Sequence, residues 1–240
     1  MVGTLLTWML RYPVMVLTGV LCWIWMRLAN KTIIIGRHHY PRHANVLIAS
    51  NHYTMIDSWW ITIALCWPWI IYKPWLLPYH LPEKKNFYKG ILGPLCELWR
   101  CIPISRGTGD FLEKMPRITE ALRTAALAIF PQGGRSRNHQ PIVEPWRPNG
   151  MRELIAKTQP TIVPVGIYGI QDVLPIGHRF PHWRKTVVIV IGQPLIASEL
   201  TGMHDQTTAR QTTKAVCQAV QGRIQHCLSS AHIVHCLEVS

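Results

Sequence analysis

The chain has 240 residues, which is enough for one domain with a sizeable core and no disulfide support. It carries 25 Lys and Arg against 12 Asp and Glu, a net charge of +13 that favours an anionic partner. Eleven Trp and a 48% hydrophobic content are heavy for a nucleic-acid module, whereas Trp beside Lys and Arg suits a membrane interface. We therefore expect membrane lipids as partners and no nucleic acid.

The seven cysteines are odd in number, scattered along the chain, and never form a C-x-x-C pair. A disulfide framework and a structural zinc site both need paired, regularly spaced cysteines. The spacing therefore predicts free thiols in a reducing compartment and no metal.

The N-terminal stretch Thr4–Leu28 is strongly apolar but is interrupted by Arg11 and Pro13. Three interpretations compete: a tilted span over Leu5–Met26, a monotopic helical hairpin, and a signal peptide. No small-residue cleavage pattern follows, which counts against the signal peptide. We expect a membrane-anchoring helix or bent helix pair over residues 1–30, with a single domain over residues 31–230. Basic residues after the anchor predict that this flank is cytoplasmic; they are Arg27, Lys31, Arg37 and Arg42.

After the anchor, short apolar runs alternate with longer mixed segments, which predicts an α/β domain with a mostly parallel central sheet flanked by helices. The predicted strands are Thr32–Ile35, Asn45–Ala49, Trp69–Tyr72, Cys101–Ser105, Ala126–Phe130, Thr161–Gly166 and Thr186–Ile191. The predicted helices are Asp57–Cys66, Lys84–Trp99, Gly109–Arg123, Met151–Lys157 and Gln206–Leu228. Residues 229–240 carry no clear pattern, and we expect them to be loosely ordered.

Three prolines make residues 73–82 an irregular loop rather than a helix or a central strand. Its apolar side chains Trp75, Leu76 and Leu77 could dip into lipid or line a groove for an acyl chain. An ordinary packed loop is an equally good interpretation.

The stretch from Asn51 to Asp57 directly follows a buried strand, which delivers His52 to the strand's carboxyl end. Asp57 lies five positions later, where a helix is predicted to begin. The two side chains can meet only if His52 lies in the turn and Asp57 in the first helical turn. The carboxylate would then accept the proton of one imidazole nitrogen and leave the other as a base. A structural histidine is the alternative, since single histidines near strand ends are common.

Three further strand ends carry residues suited to an anionic ligand. Arg106 and Gly107 end one predicted strand, and a Pro/Gly-rich turn with Gly133, Gly134 and Arg135 ends another. Arginine can bind an anionic group through two hydrogen bonds, and the backbone amides of such a turn can cradle a phosphate or an oxyanion. The strand around Pro164 could form another wall of the same pocket.

In this order, the four stretches resemble the glycerolipid acyltransferase family, which includes the 1-acylglycerol-3-phosphate acyltransferases. The resemblance covers roughly residues 30–195. The first family motif, N-H-x-x-x-x-D, is matched by Asn51, His52 and Asp57, and the second, Arg-Gly after an apolar strand, by Ile104, Arg106 and Gly107. The third, F-P-E-G-T-R-S, is matched at Phe130, Pro131, Gly133, Arg135 and Ser136. The fourth, an apolar strand with proline, is matched by Val163, Pro164 and Val165. Lys73 lies where family members often carry a lysine.

The resemblance implies acyl transfer from a thioester, either acyl-CoA or acyl carrier protein, to the hydroxyl of a lysophospholipid. No other cofactor is implied. His52 and Asp57 would be catalytic, and Asn51, Lys73, Arg106, Gly107, Gln132, Gly133, Gly134, Arg135 and Pro164 would bind substrate on the cytoplasmic side of the membrane.

Two positions depart from the family pattern, because Gln132 replaces its usual glutamate and Gly134 its usual threonine. Glutamine keeps an acceptor oxygen but exchanges a charge for an amide donor. The departures leave open another hydroxyl acceptor such as a glycolipid, and also a catalytically decayed, basic membrane-binding protein. A thioester hydrolase using the same His/Asp pair is a further alternative.

Overall fold

The computed structural model describes residues 2–90, 92–105, 107–137, 140–178, 180–197, 199 and 206–239. The side chains of these residues are described as well, apart from those of residues 2–10 and 206–212.

A single seven-stranded sheet forms the centre of the molecule. Its strands are β1 (Lys31–Ile35), β2 (Val46–Ser50), β3 (Tyr79–His80), β4 (Ala126–Ile129), β5 (Thr161–Tyr168), β6 (Thr186–Ile191) and β7 (Leu195–Ile196). They lie in the order β1-β6-β5-β2-β4-β3, with β7 pairing to β5. Four of the pairings are parallel, and only those of β5 with β6 and with β7 are antiparallel. The expectation of a mostly parallel sheet is thereby confirmed.

The helices cover the sheet and its ends. They are α1 (Val2–Ile24), α2 (Asp57–Cys66), α3 (Trp69–Tyr72), α4 (Lys84–Phe87), α5 (Leu92–Leu98), α6 (Asp110–Glu113), α7 (Met115–Thr124), α8 (Asn149–Thr158), α9 (Ile170–Val173) and α10 (Gln206–Val239). A π-helical turn, Trp25–Ala29, continues α1, and two short 3-10 turns occupy Arg37–His39 and Pro74–Leu76.

Two strand predictions are wrong. Trp69–Tyr72 is helix α3, because Pro68 before it supplies a helix start and four apolar residues have no periodicity that separates helix from strand. Cys101–Ser105 makes only isolated bridges, at Cys101 and Ile104, because Pro103 between them has no N–H to continue a ladder. The edge strand beside β4 is β3, which lies inside the stretch that we predict to be an irregular loop.

Three helix predictions need correction. The predicted helix Lys84–Trp99 is divided into α4 and α5, with Gly90 in a left-handed conformation between them. The predicted helix Gly109–Arg123 is likewise divided into α6 and α7, the second starting just before Pro116. The C-terminal helix runs to Val239, so the expectation of a loosely ordered 229–240 is wrong, and Ala231 is fully buried.

The N-terminal segment is one helix rather than a bent pair, and Pro13 lies inside it. Residues Arg11–Ala29 are long and apolar enough to cross a membrane, and only 17% of that stretch is buried, unlike the core helix of a soluble protein. The helix nevertheless packs on the domain. The indole of Trp99 donates to Thr18 Oγ1 at 2.8 Å, and the hydroxyl of Tyr12 donates to the carbonyl of Ile71 at 2.8 Å.

Helix α10 crosses β5 and β6 on one face of the sheet. A close approach at Gly166 makes this packing possible, since a Cβ there would lie 2.3 Å from the backbone nitrogen of Leu228. The core therefore extends from β2, all five residues of which are buried, to the inner side of this long helix.

Candidate active site

The His/Asp pair forms as its spacing predicts. His52 lies in the turn after β2, and Asp57 is the first residue of α2. His52 Nδ1 is 2.9 Å from Asp57 Oδ2. Because the carboxylate accepts the Nδ1 proton, Nε2 carries the lone pair of the neutral ring. The pairing is confirmed, and its catalytic role stays a prediction.

Asp57 is fully buried and is held by its own turn. Its carboxylate also accepts hydrogen bonds from the backbone N–H of Tyr53 at 2.6 Å and of Thr54 at 3.0 Å, and from the Thr54 hydroxyl at 2.5 Å. A carboxylate held by this many donors cannot rotate away. It therefore holds the imidazole of His52 in one orientation.

The ring of His52 is also fixed from the other side. It stacks on Phe130 with ring centroids 4.2 Å apart and an interplanar angle of 18°. The backbone carbonyl of His52 accepts a hydrogen bond from the N–H of Ser136 at 2.7 Å. The turn after β4 is thus joined directly to the turn after β2, which brings two of the predicted motifs together.

Gln132 lies within this junction, and its side chain is not free to bind substrate as predicted. Its side-chain oxygen accepts a hydrogen bond from the backbone N–H of His52 at 2.6 Å, and its amide donates to the carbonyl of Glu144 at 2.8 Å. The side chain is 1% exposed, so both ends are committed inside the protein. The residue positions His52, and the second bond needs the amide donor that a glutamate lacks.

Asn51 is also structural rather than substrate-binding. Its side-chain amide donates to the carbonyl of Ile167 at 2.9 Å, and its side-chain oxygen accepts from the N–H of Ile167 at 2.8 Å. These bonds continue the pairing of β2 and β5 beyond Ser50. The asparagine therefore sets the position from which His52 projects.

A cavity of about 1160 Å³ opens beside His52 at the carboxyl ends of β2, β3 and β4. This volume is slightly above the range of about 300–1,000 Å³ that is usual for small-molecule sites. Much of its wall is apolar, with Trp59, Phe87, Ile104, Phe111, Leu112 and Ala128 among the lining residues. Such a wall suits a long hydrocarbon chain.

The polar part of the wall contains several of the predicted residues. Gly107, Gly133, Gly134 and Arg135 all line the cavity together with His52. Gly133 has φ +65°, which a residue with a side chain rarely adopts, so the turn requires glycine. The predicted Arg106 lies outside the described residues.

Sequence reasoning missed two further cations in this wall. Arg147 and Arg152 line the cavity, one just before α8 and one in its first turn. Arg147 follows a segment without strand or helix periodicity, and Arg152 lies in the predicted helix Met151–Lys157, so the sequence held no signal for a binding role beyond their charge. With Arg135 they bring three arginines to the cavity wall, which Glu83 and Glu153 also line.

Two predicted binding residues lie elsewhere. Lys73 is exposed and ends α3, which precedes β3, whereas the cavity lies where β3 ends. Pro164 is buried in the middle of β5 opposite Ala49, and its carbonyl accepts the N–H of Gly192 at 2.9 Å. Neither is among the described residues that line the cavity.

In the predicted loop over residues 73–82, the apolar side chains of residues 75–77 do not form an acyl groove either. Leu76 and Leu77 are buried, Trp75 is 56% exposed, and none of the three belongs to the described cavity wall. Its contact with lipid stays a prediction.

A second histidine lines the cavity. His80 Nδ1 is 2.5 Å from the hydroxyl of Ser58, and burial lowers the pKa of His80 to about 4. The ring is therefore neutral near pH 7, unlike a histidine that would bind a phosphate. Among the described residues, no group of three or more His, Cys, Asp or Glu side chains could hold a metal ion.

Comparison with known proteins gives consistent results. A family model described as Acyltransferase matches residues 31–168. The chain is 27% identical over 143 residues to 1-acyl-sn-glycerol-3-phosphate acyltransferase alpha of Ovis aries and to that of Homo sapiens, an alignment covering 57% of this chain and 45% of each relative. The match thus spans about half the length of these curated relatives.

A solved structure shares the fold. The crystal structure of the 1-acyl-sn-glycerophosphate (LPA) acyltransferase PlsC from Thermotoga maritima superposes with a TM-score of 0.58 at 16% identity, covering 85% of this chain and 76% of that one.

Proposed function

The chain belongs to the acyltransferase family, and from that membership we propose that it moves a fatty acyl group from a thioester to the hydroxyl of a lysophospholipid. The proposed acceptor is 1-acylglycerol-3-phosphate, the substrate class in the names of its relatives. The observation that carries the proposal is the His52–Asp57 pair at the wall of a cavity that is lined both by apolar side chains and by arginines.

In this mechanism His52 Nε2 removes the proton of the acceptor hydroxyl as the oxygen attacks the thioester carbonyl carbon. Asp57 stabilises the imidazolium that forms. The tetrahedral intermediate then collapses, the carbon–sulfur bond breaks, and the imidazolium returns its proton to the leaving thiolate. The products are an ester and a free thiol, and no acyl-enzyme is needed.

The oxyanion of the intermediate needs hydrogen-bond donors near His52. The N–H of Gly133 already donates to the carbonyl of Phe130 at 3.0 Å, which removes it as a candidate. The N–H of Gly134, next in the same turn and also at the cavity wall, is the better choice.

Arg135, Arg147 and Arg152 are the proposed phosphate-binding residues, with Arg106 as a further candidate from the sequence. Arginine suits this task because its planar guanidinium pairs with two phosphate oxygens at once. If the acceptor is a different hydroxyl compound, it would make different contacts with these arginines, whereas the role of the His/Asp pair would be the same. Both acyl-CoA and acyl carrier protein remain proposed donors.

We also propose that the protein is membrane-associated through α1, with the domain over residues 31–230 on the cytoplasmic side. The long, apolar and largely exposed helix supports the attachment. The basic residues that follow it support the side.

Replacing His52 by alanine tests the mechanism. General base catalysis contributes about 10²- to 10⁴-fold, so we expect His52→Ala to lower kcat by about that factor with an unchanged melting temperature. The assay supplies labelled acyl-CoA and 1-acylglycerol-3-phosphate to purified protein and identifies the products by mass spectrometry.

The matched control is His43→Ala, since His43 is exposed and its Nδ1 lies 2.6 Å from the carbonyl oxygen of the neighbouring Ala44. Transfer by His52→Ala at the rate of this control would remove the mechanism. Free fatty acid in place of acylated lipid from the unmodified protein would identify a hydrolase instead.

A further inference from the structure

Three segments that meet near the end of α1 expose large apolar side chains. In the loop before β6, Phe180 is 81% exposed and Trp183 is exposed. Near the end of α10, Leu237 is 73% exposed and Ile233 is exposed. Leu28, in the turn that ends α1, is exposed as well. We call these five residues the edge patch.

Contacts across the segments show that they belong to one end of the molecule. The N–H of Arg184 donates to the carbonyl of Ala29 at 2.7 Å, and Trp183 and Leu28 line one shallow surface cavity. The N–H of Lys31 donates to the carbonyl of Lys185 at 2.9 Å, and the Lys31 side chain pairs with Glu238 of α10. The loop, the start of β1 and the end of α10 are therefore directly connected.

The topology places this end at the same edge of the sheet as the cavity. Strands β1 and β6 run antiparallel to β5 and parallel to each other, so their amino ends lie beside the carboxyl end of β5. Strand β5 is parallel to β2, whose carboxyl end carries His52. The edge patch, next to Lys31 and Thr186, is thus on the edge where the proposed acyl transfer would occur.

The chemistry of the patch matches a lipid bilayer. Trp183 is followed directly by Arg184 and Lys185, and indole rings beside cations are typical of membrane interfaces. Helix α1 exposes Leu17, Leu21 and Ile24 as well, and Ile24 lines the same shallow surface cavity as Leu28 and Trp183. A chain with net charge +13 is also attracted to anionic lipid.

We propose that the edge patch is a second membrane contact beside α1, resting on an anionic bilayer. It holds the sheet edge that carries His52 against the lipid. An amphiphilic acceptor can then reach the cavity without crossing water, a consequence that rests on the proposed function, whereas the contact itself does not.

Site-specific photocrosslinking of the full chain tests the contact. The variants Phe180→p-benzoylphenylalanine and Leu237→p-benzoylphenylalanine are reconstituted in vesicles of equal parts phosphatidylcholine and phosphatidylglycerol with labelled acyl chains. Ile196→p-benzoylphenylalanine is the matched control, because Ile196 is 40% exposed but lies in β7, beside the amino end of β5 on the opposite edge. Irradiation is followed by mass analysis of the crosslinked chain.

We expect lipid crosslinks at both patch positions several-fold above those at Ile196. Crosslinks to a second copy of the chain, or lipid crosslinks no stronger than at Ile196, would overturn the proposal. Because the readout needs no turnover, it is independent of the acyl transfer assay. If the protein is inactive but crosslinks to lipid at the patch positions, the proposed function is rejected and the proposed membrane contact is supported.

Discussion

Asp57 and Gln132 together determine where the imidazole of His52 lies. Asp57 acts on the ring through Nδ1, and Gln132 acts on the backbone N–H of the same residue. The two contacts come from different turns, after β2 and after β4. The position of this one imidazole therefore depends on two separate strand ends.

The change Gln132→Glu tests the contribution of the second turn. The new carboxylate would face the carbonyl of Glu144, to which the glutamine amide now donates. An unpaired buried polar group costs about 1–3 kcal/mol, so we expect the free energy of unfolding to fall by that amount and kcat to fall with it. Chemical denaturation and steady-state kinetics measure the two effects.

Gln225→Glu is the control for this substitution. Gln225 holds the same segment through the N–H of Val143 and the carbonyl of Pro141, but it has no bond to His52. It should lower stability with a smaller effect on kcat at a temperature where both variants are folded. A large gain in activity from Gln132→Glu would instead support the view of a catalytically decayed protein.

At the scale of elements, β5 and α10 pack closely against each other in the core. Gly166 faces the backbone of Cys227 and Leu228 with no room for a methyl group, which would lie 2.4 Å from the first and 2.3 Å from the second. The helix lies against the sheet only because this strand residue has no side chain. Since α10 also carries part of the edge patch, its packing on β5 affects the proposed membrane contact too.

We therefore expect Gly166→Ala to destabilise the protein by about 3 kcal/mol, because a backbone cannot move aside as a side chain can. Thermal or denaturant unfolding measures the change. Gly222→Ala on the same helix is the matched control: nothing lies within 4 Å of its added methyl group. Alanine there should raise helix stability by roughly 0.5–1 kcal/mol. Equal effects of the two variants would contradict the close packing.

At the scale of the whole molecule, α1 is both the apolar helix and a cover for the domain. Met15 and Met26 are 1% exposed, and Gly19 lies against the ring of Trp67. The boundary predicted near residue 30 therefore divides two parts that share a core.

Deletion of residues 1–30 should then do more than release the protein from membranes. Loss of a buried methionine typically costs about 2–5 kcal/mol, so we expect the shortened chain to lose its cooperative melting transition and aggregate. Deletion of residues 1–10 is the control, since it keeps Met15, Thr18 and Gly19. A soluble, cooperatively melting fragment 31–240 would show that the domain is independent of α1. Circular dichroism and gel filtration distinguish these outcomes.

The α/β class, most of the strands and the His52–Asp57 pair could be predicted from the order of residues alone. These follow from apolar runs and from neighbours within five residues, whose geometry is set by local backbone conformation. The predicted and observed bounds of helix α2 are the same, because its first residue, Asp57, is itself a local signal for the start of a helix.

The roles of Asn51, Gln132 and Pro164 became clear only from the folded chain. Each has partners more than ten positions away, in Ile167, Glu144 and Gly192, and sequence periodicity carries no information on such contacts. The same reason applies to Arg147 and Arg152, which line the cavity because of where α8 packs. It also applies to Lys73, which lies before β3, whereas the cavity lies at the carboxyl end of that strand. Motifs indicated which residues to consider, and long-range packing showed which of them line the cavity, which hold His52 in position and which belong to the core.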